Sequence, residues 1–360
     1  MVMFGWRTVL LIAGTGIVAA CAQPAINESD VTDYRVEHAF DGEGPADLSG
    51  IACIPNQQAT AYRCLAVNDE TQSAQFATVQ DGTIDASEEI RLIGETPDPE
   101  TVGSRPRSVP CPRITEDFEE LDGEGVAHAA PYFYVVGSHG CSRKKGKFRL
   151  STFILARIRV DQEGRPVDKA GNVLTGDAMH EAVETTYRLS DLLPRIREAG
   201  AFFGKGLDAD SKGLNIEGIA VQGENLFLGL RAPSVDGRAF IMRANVDELF
   251  KAGREPAPAT ALVDTIQVAL GPDVGIRDLA LLPDGRLLIL AGAASGPEIP
   301  YSIFVVDQTG ANLQELVPPQ TDQPTRAEGM TVLEATDQDI RLLILFDKAN
   351  TAPQEVRIRH

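Results

Sequence analysis

Asn215-Ile-Glu-Gly-Ile-Ala-Val-Gln-Gly-Glu-Asn-Leu-Phe-Leu-Gly-Leu-Arg-Ala-Pro233 is the stretch that decides the fold. An acidic residue and a glycine open it. An apolar run follows, Gly223 marks a turn, and a second apolar run stops at Arg231. Two short apolar runs around a Gly-containing turn read as the strands of a hairpin. The pattern recurs as Asp47-Leu-Ser-Gly-Ile-Ala-Cys53 with a return at Tyr62–Asp69, and as Asp122-Gly-Glu-Gly-Val-Ala127 with a return at Tyr132–His139. It comes again as Ile276–Leu282 with Leu287–Ala291, and as Ala327–Leu333 with Ile340–Asp347.

Aligned on the glycine, the copies fall at Gly50, Gly125, Gly218, Asp278 and Gly329, at unequal intervals. Repeated hairpins with irregular spacing suit a β-propeller carrying loop insertions. The expectation is an all-β chain, one propeller of five blades, with short helical insertions at Ser190–Phe203, capped by Ser190, and near Asp247–Ala252. Six blades is the alternative, with a degenerate blade between 150 and 190. Tyr34–Phe40 alternates as a strand and is expected to close the ring on the last blade. That would remove a free sheet edge.

The 360 residues carry a formal charge of −19, which argues against nucleic-acid contact. The chain has no G-x-S-x-G, no Walker sequence and no EF-hand loop. Five cysteines are present. Setting Cys21 aside leaves Cys53, Cys64, Cys111 and Cys141, and four cysteines allow three pairings. Cys53 and Cys64 flank one turn and could face each other, leaving Cys111 with Cys141. Without C-x-x-C or H-E-x-x-H, a zinc site is disfavoured.

Thr8–Val18 is apolar but too short to span a bilayer. It leads to Val18-Ala-Ala-Cys21, which resembles the bacterial lipoprotein signal box. The resemblance implies cleavage before Cys21, lipidation there, and a periplasmic protein anchored in the envelope. With Ala22 after the Cys, it implies sorting to the outer membrane. An ordinary secretory signal cut near Ala22 is the alternative. Residues 1–20 are then signal, 21–33 a tether and 34–360 a single propeller, expected to be monomeric.

The [D/N]-x-E-G-apolar-A opening, clearest at Asp122–Ala127 and Asn215–Ala220, resembles phytase-like and esterase-like bacterial propellers. It also resembles an uncharacterised bacterial domain-of-unknown-function family of the same look. The first and fourth copies depart from the pattern at Ser49 and Arg277. Some of these relatives are inferred hydrolases.

In a propeller the start of strand one and the end of strand two meet at one end of the central channel. The repeat therefore predicts a ring at one mouth. Its opening positions are Ser49, Glu124, Glu217, Arg277 and Glu328, and its closing positions are Asp69, His139, Arg231, Ser295 and Asp347. Glu124, Glu217, Glu328 and Asp347 could hold Ca²⁺, which takes six to eight oxygens. Arg231 and Arg277, with Asp69 nearby, could clamp a small or polyanionic ligand or a protein partner. His139 is a candidate general base, with Glu217 beside it. A structural alternative stays open, in which Arg–Glu pairs seal the channel. A scaffold role in an envelope assembly stays open too. The basic loop Arg143, Lys144, Lys145, Lys147 and Arg149 reads as a solvated hairpin tip or a contact for polyanions.

Overall fold

The computed structural model describes residues 30–38, 40, 48–106, 109–115, 117–143, 145–208, 210, 212–296, 299–316, 326–347 and 352–359. The signal, Cys21 and most of the tether lie outside the described residues. Five antiparallel sheets form five blades. Their inner strands are Leu48–Pro55, Gly123–Ala129, Asn215–Gln222, Val274–Leu281 and Arg326–Ala335. Each inner strand touches the next, and Arg326–Ala335 touches Leu48–Pro55, so the ring is closed.

Both faces of a blade are covered by its neighbours. Strands buried on both faces become continuous apolar runs instead of alternating ones. Leu287–Ala293 shows this, with every residue buried. One apolar core fills each interface. Phe76 and Phe133 meet between the first two blades, and Leu228 and Leu155 lie between the second and third. Phe227 and Ile289 follow between the third and fourth, Leu290 and Ile344 between the fourth and fifth. Ile51 and Leu343 complete the circle.

The closing strand differs from the sequence expectation. Val31–Asp33, assigned above to the tether, pairs antiparallel with the outer strand Gln354–Arg359 of the last blade. Arg35–Glu37 then pairs in parallel with Thr83–Asp85 of the first blade. Tyr34 marks the crossing between them, buried and donating to Glu355 Oε2 at 2.7 Å. The N-terminal segment thus stitches the two blades that flank the seam. The six-blade alternative falls, because Leu155–Arg159 and Val183–Thr186 are the outer strands of the second blade.

The expected helix at Ser190–Phe203 is broken into Leu189–Leu192, Leu193–Arg195 and Ala199–Phe202. Its N-cap is Arg188 and not Ser190. Pro194 has no N–H to continue the helix. The second helix spans Val246–Phe250, capped by Asn245, which accepts from the Glu248 N–H. The disulfides are Cys53–Cys64, on paired residues of one hairpin, and Cys111–Cys141.

Four of the five aligned positions are glycines, and they sit where neighbouring inner strands nearly touch. A Cβ on Gly125 would lie 2.5 Å from the Glu217 carbonyl oxygen, and one on Gly50 would lie 2.8 Å from Gly125 Cα. The fourth blade has Asp278 instead. Its buried carboxyl accepts from Met330 N–H of the fifth blade at 2.7 Å, from its neighbour Leu279 N–H at 2.7 Å, and from the Ile219 backbone of the third blade. A side chain there ties three inner strands together. Asp278→Ala leaves buried donors without an acceptor, so it should lose about 2–4 kcal/mol in urea unfolding, with Asp278→Asn recovering part. A loss within experimental error would refute the tie.

Candidate functional site at the channel mouth

Each first hairpin slips register at the same place in its inner strand, and those of the third and fifth blades slip a second time. In the first blade Leu48 faces Asn68 while Gly50 faces Val67, so Ser49 has no partner. Glu124 is skipped in the second blade and Glu217 in the third. Arg277 and Glu328 are skipped in the fourth and fifth. A bulge of this kind re-aims one side chain and tightens the local twist. Five bulges therefore bring one residue per blade to the axis.

The structure brings most of the predicted ring together. Carboxylate oxygens of Glu124, Glu217 and Glu328 lie within 4.8 Å of one another. Arg231 Nη1 donates to Glu217 Oε1 at 2.6 Å. Arg277 reaches the same carboxylate, with Nη1 3.4 Å from Oε1 and Nε 3.1 Å from Oε2, the latter poorly aligned for a hydrogen bond. Its Nη2 also donates to Glu328. Arg326 Nε lies 3.5 Å from Glu328 Oε1. Glu217, Arg231 and Arg277 are all buried. The sealing alternative raised by the sequence is thus present: Arg–Glu pairs cross from blade to blade.

Burial shifts the carboxyls, because a charge in a poorly solvated channel is costly. Glu124 is raised well above the ordinary range, by burial first and then by the neighbouring Glu217, Asp122 and Glu328. Glu328 is pushed up to about 7 by burial, against the opposing pull of Arg277. Asp122, bonded by Ser138, is pushed up to about 6 by burial. Protons therefore remain in the cluster near neutral pH.

The closing positions are less uniform. Arg231 joins the cluster, and Ser295 lines a recess of about 80 Å³ above it. Asp69 is exposed and acts on Asp122 through its charge. The Asp347 side chain lies outside the described residues. His139 is buried, with Nδ1 2.8 Å from the Gly137 carbonyl and its ring edge-on to Phe153. Burial pushes it down to about 4, so it is neutral at pH 7. His128 is likewise pushed down to about 4.

Sequence reasoning did not place Asp122, Arg143, Lys212 or Arg326 in the ring. The last three line the recess, beside Arg231 and Asn215. Arg143 is held below its ordinary range by burial and by Arg231, and it also feels Glu217, Arg326 and Glu124. Asp122, Asn215 and Arg326 stand two residues before a bulge. Strand periodicity puts that position on the same face, a signal the sequence offered. Arg143 belongs to a loop and carried no such signal.

The two kinds of glutamate should respond differently to removal of charge. Glu217→Gln leaves the buried Arg231 without its ion-pair partner and Arg277 with Glu328 alone, and is expected to cost about 3–5 kcal/mol. Glu124→Gln replaces a carboxyl whose charge is disfavoured by burial and by its carboxyl neighbours, and should cost less than about 1 kcal/mol at pH 7. Chemical denaturation of both variants checks this. Equal losses would contradict the charge assignment.

Known proteins resemble the chain chiefly in outline. A mannose phosphorylase from Leishmania mexicana superposes with a TM-score of 0.43 at 11% identity, over 93% of this chain and 88% of that one. A protein of unknown function from Dyadobacter fermentans gives 0.41 at 10%, over 93% and 99%. The catalytic domain of a Coprinopsis cinerea GH62 α-L-arabinofuranosidase gives 0.40 at 9%, over 92% and 98%. None of the curated proteins matches by sequence. Residues 108–358, four of the five blades, match one protein family, and on that match the chain belongs to DUF3616, a family of proteins of unknown function.

Proposed function

We propose that the channel mouth binds a small anionic ligand, on an exported propeller held at the cell envelope by a lipid on Cys21. The observation that carries this reading is the sign of the mouth. Arg143, Arg231, Arg277 and Arg326 meet there, while burial raises the carboxyls of Glu124, Glu328 and Asp122, so the mouth sheds negative charge as pH falls. A positive mouth in a chain of formal charge −19 draws anions to one place. The recess of about 80 Å³ has room for one carboxylate or phosphate group, with the rest of the ligand outside. Among the described residues no carboxylate lies in ion-pair range of Arg143, so its fork remains available for bidentate contact.

Calcium-assisted hydrolysis is the second reading, favoured by the close approach of Glu124, Glu217 and Glu328. Their oxygens could hold one ion. Against this, Arg231 and Arg277 already occupy Glu217, and Arg277 and Arg326 flank Glu328. Two buried guanidiniums beside a divalent cation repel it. The buried, neutral His139 supports no proton transfer at this cluster, so no reaction is assigned. Binding by the outer loops to an envelope partner would be compatible with the same anchor.

The two readings have opposite pH signs. A raised carboxyl is protonated at low pH and gains charge as pH rises through its folded value. Anion affinity should therefore fall between pH 5.5 and 8, and Ca²⁺ affinity should rise. Sulfate is a suitable probe because it does not itself titrate in that window. Calorimetry should show saturable sulfate binding at pH 5.5, about tenfold weaker at pH 8 and at least about tenfold weaker in Arg143→Ala. Calcium binding that strengthens with pH, without sulfate binding, would overturn the anion reading.

A further inference from the structure

A separate cavity of about 800 Å³ lies on one side of the wheel. The Pro-rich connector after the first blade, the insertion between blades two and three, and the loop at Arg254 meet there. Its volume falls within the range of small-molecule sites. Pro106, Pro110, Pro194 and Phe203 give it an apolar surface. Arg105, Arg254, Ser190 and Asp191 are its charged and hydroxyl members, apart from Ser104 at the edge.

Three features of the lining suit it to a ligand. Ser190 is 8% exposed, and its Oγ has no hydrogen-bond partner. A buried hydroxyl left without a bond is costly, and a ligand can supply the bond. Arg105 donates to the Pro97 carbonyl at 3.4 Å and Arg254 to that of Pro99. Among the described residues neither forms an ion pair, so most of the five N–H donors on each guanidinium remain. Asp191 forms no ion pair with either among the described residues, and its carboxylate accepts from the Ala257 N–H at 2.8 Å.

The walls are also held in advance. Arg188 donates to the carbonyls of Glu255 at 2.9 Å, Glu248 at 3.1 Å and Gly253 at 3.2 Å, and to that of Lys251. This clamp fixes the loop carrying Arg254 against the insertion. The insertion in turn packs on the connector, where a Cβ on Gly204 would lie 2.3 Å from Pro110 Cδ. A preformed wall spares the ordering cost of binding.

We propose that this cavity binds a small apolar carboxylate. The acid group sits between Arg105 and Arg254, the hydrocarbon body lies on the prolines and Phe203, and Ser190 Oγ–H donates to the ligand. The site shares no lining residue with the channel mouth and does not depend on the function proposed for it.

The test is calorimetry with 4-phenylbutyrate as probe, with acetate and 4-phenylbutyramide as controls. Saturable binding of one probe per chain is expected, at least about tenfold tighter than either control. Arg254→Ala should weaken it about tenfold, and Arg143→Ala should leave it unchanged. Arg105→Ala serves as the second variant if Arg254→Ala disturbs folding. Absence of saturable binding overturns the proposal. So does unchanged affinity in both arginine variants, or loss of binding in Arg143→Ala, which would place the probe at the mouth.

Discussion

In every blade the inner strand of the first hairpin bulges at the same point, and in four of the five the bulged residue meets the others at the axis. The extra residue is Ser49, Glu124, Glu217, Arg277 or Glu328. Side chains on a regular strand alternate between the two faces of a blade, and both faces are packed by neighbouring blades. Without the slip, an ionisable residue at this position would have to enter an apolar interface. The bulge turns it into the channel, and the aligned glycine just after it lets the adjacent strands close up. Polar chemistry at the axis and apolar packing between blades are consequences of the same local irregularity.

Once gathered, these groups must answer to a poorly solvated space. Charges there are tolerated only in pairs, and Arg231 and Arg277 supply the partners for Glu217. Together with the Arg277–Glu328 pair they span three blades, so they also serve as cross-links near the axis. Asp278 acts similarly through backbone donors on two other blades. Among the described residues Glu124 forms no ion pair, and burial with its carboxyl neighbours raises it well above the ordinary range. The balance between guanidiniums and carboxyls thus depends on pH, which is what gives the mouth its sign. Further along the same inner strands, Ile219, Leu279 and Met330 line a cavity of about 140 Å³ together with His128 and Thr331, and no carboxylate or guanidinium lines it.

The wheel was legible in the sequence because its information is local. A turn, an apolar run and a repeated opening are all visible within twenty residues, and their recurrence sets the blade number. The convergence of Glu124, Glu217, Arg277 and Glu328 followed from repeat alignment alone. Pairing at the seam was misread by a few residues, because Val31–Asp33 and Arg35–Glu37 are short and only their distant partners define them. The insertion was misread as one helix because its apolar spacing is helical, while Pro194 and Gly200 enforce a tight fold-back visible only in three dimensions. Arg143 is exposed, as the solvated-tip reading expects, and it also lines the recess at the mouth, which that reading did not include. His139 has the right residue type and the right position, yet its ring turns into an aromatic cluster with Phe153. Chain position specified the end of the barrel but not the rotamer.

The account rests on buried glutamates from different blades sharing one confined space. Carbon-13 NMR of the glutamate side-chain carboxyls, assigned by Glu124→Gln and Glu328→Gln and followed from pH 3 to pH 9, tests that directly. The account predicts a Glu328 midpoint near the value of about 7 and a Glu124 carboxyl still protonated well above the ordinary range, with each curve altered by substitution of the other residue. Two independent curves with ordinary glutamate midpoints near 4.5 would show that the carboxyls face bulk water separately, and would contradict it.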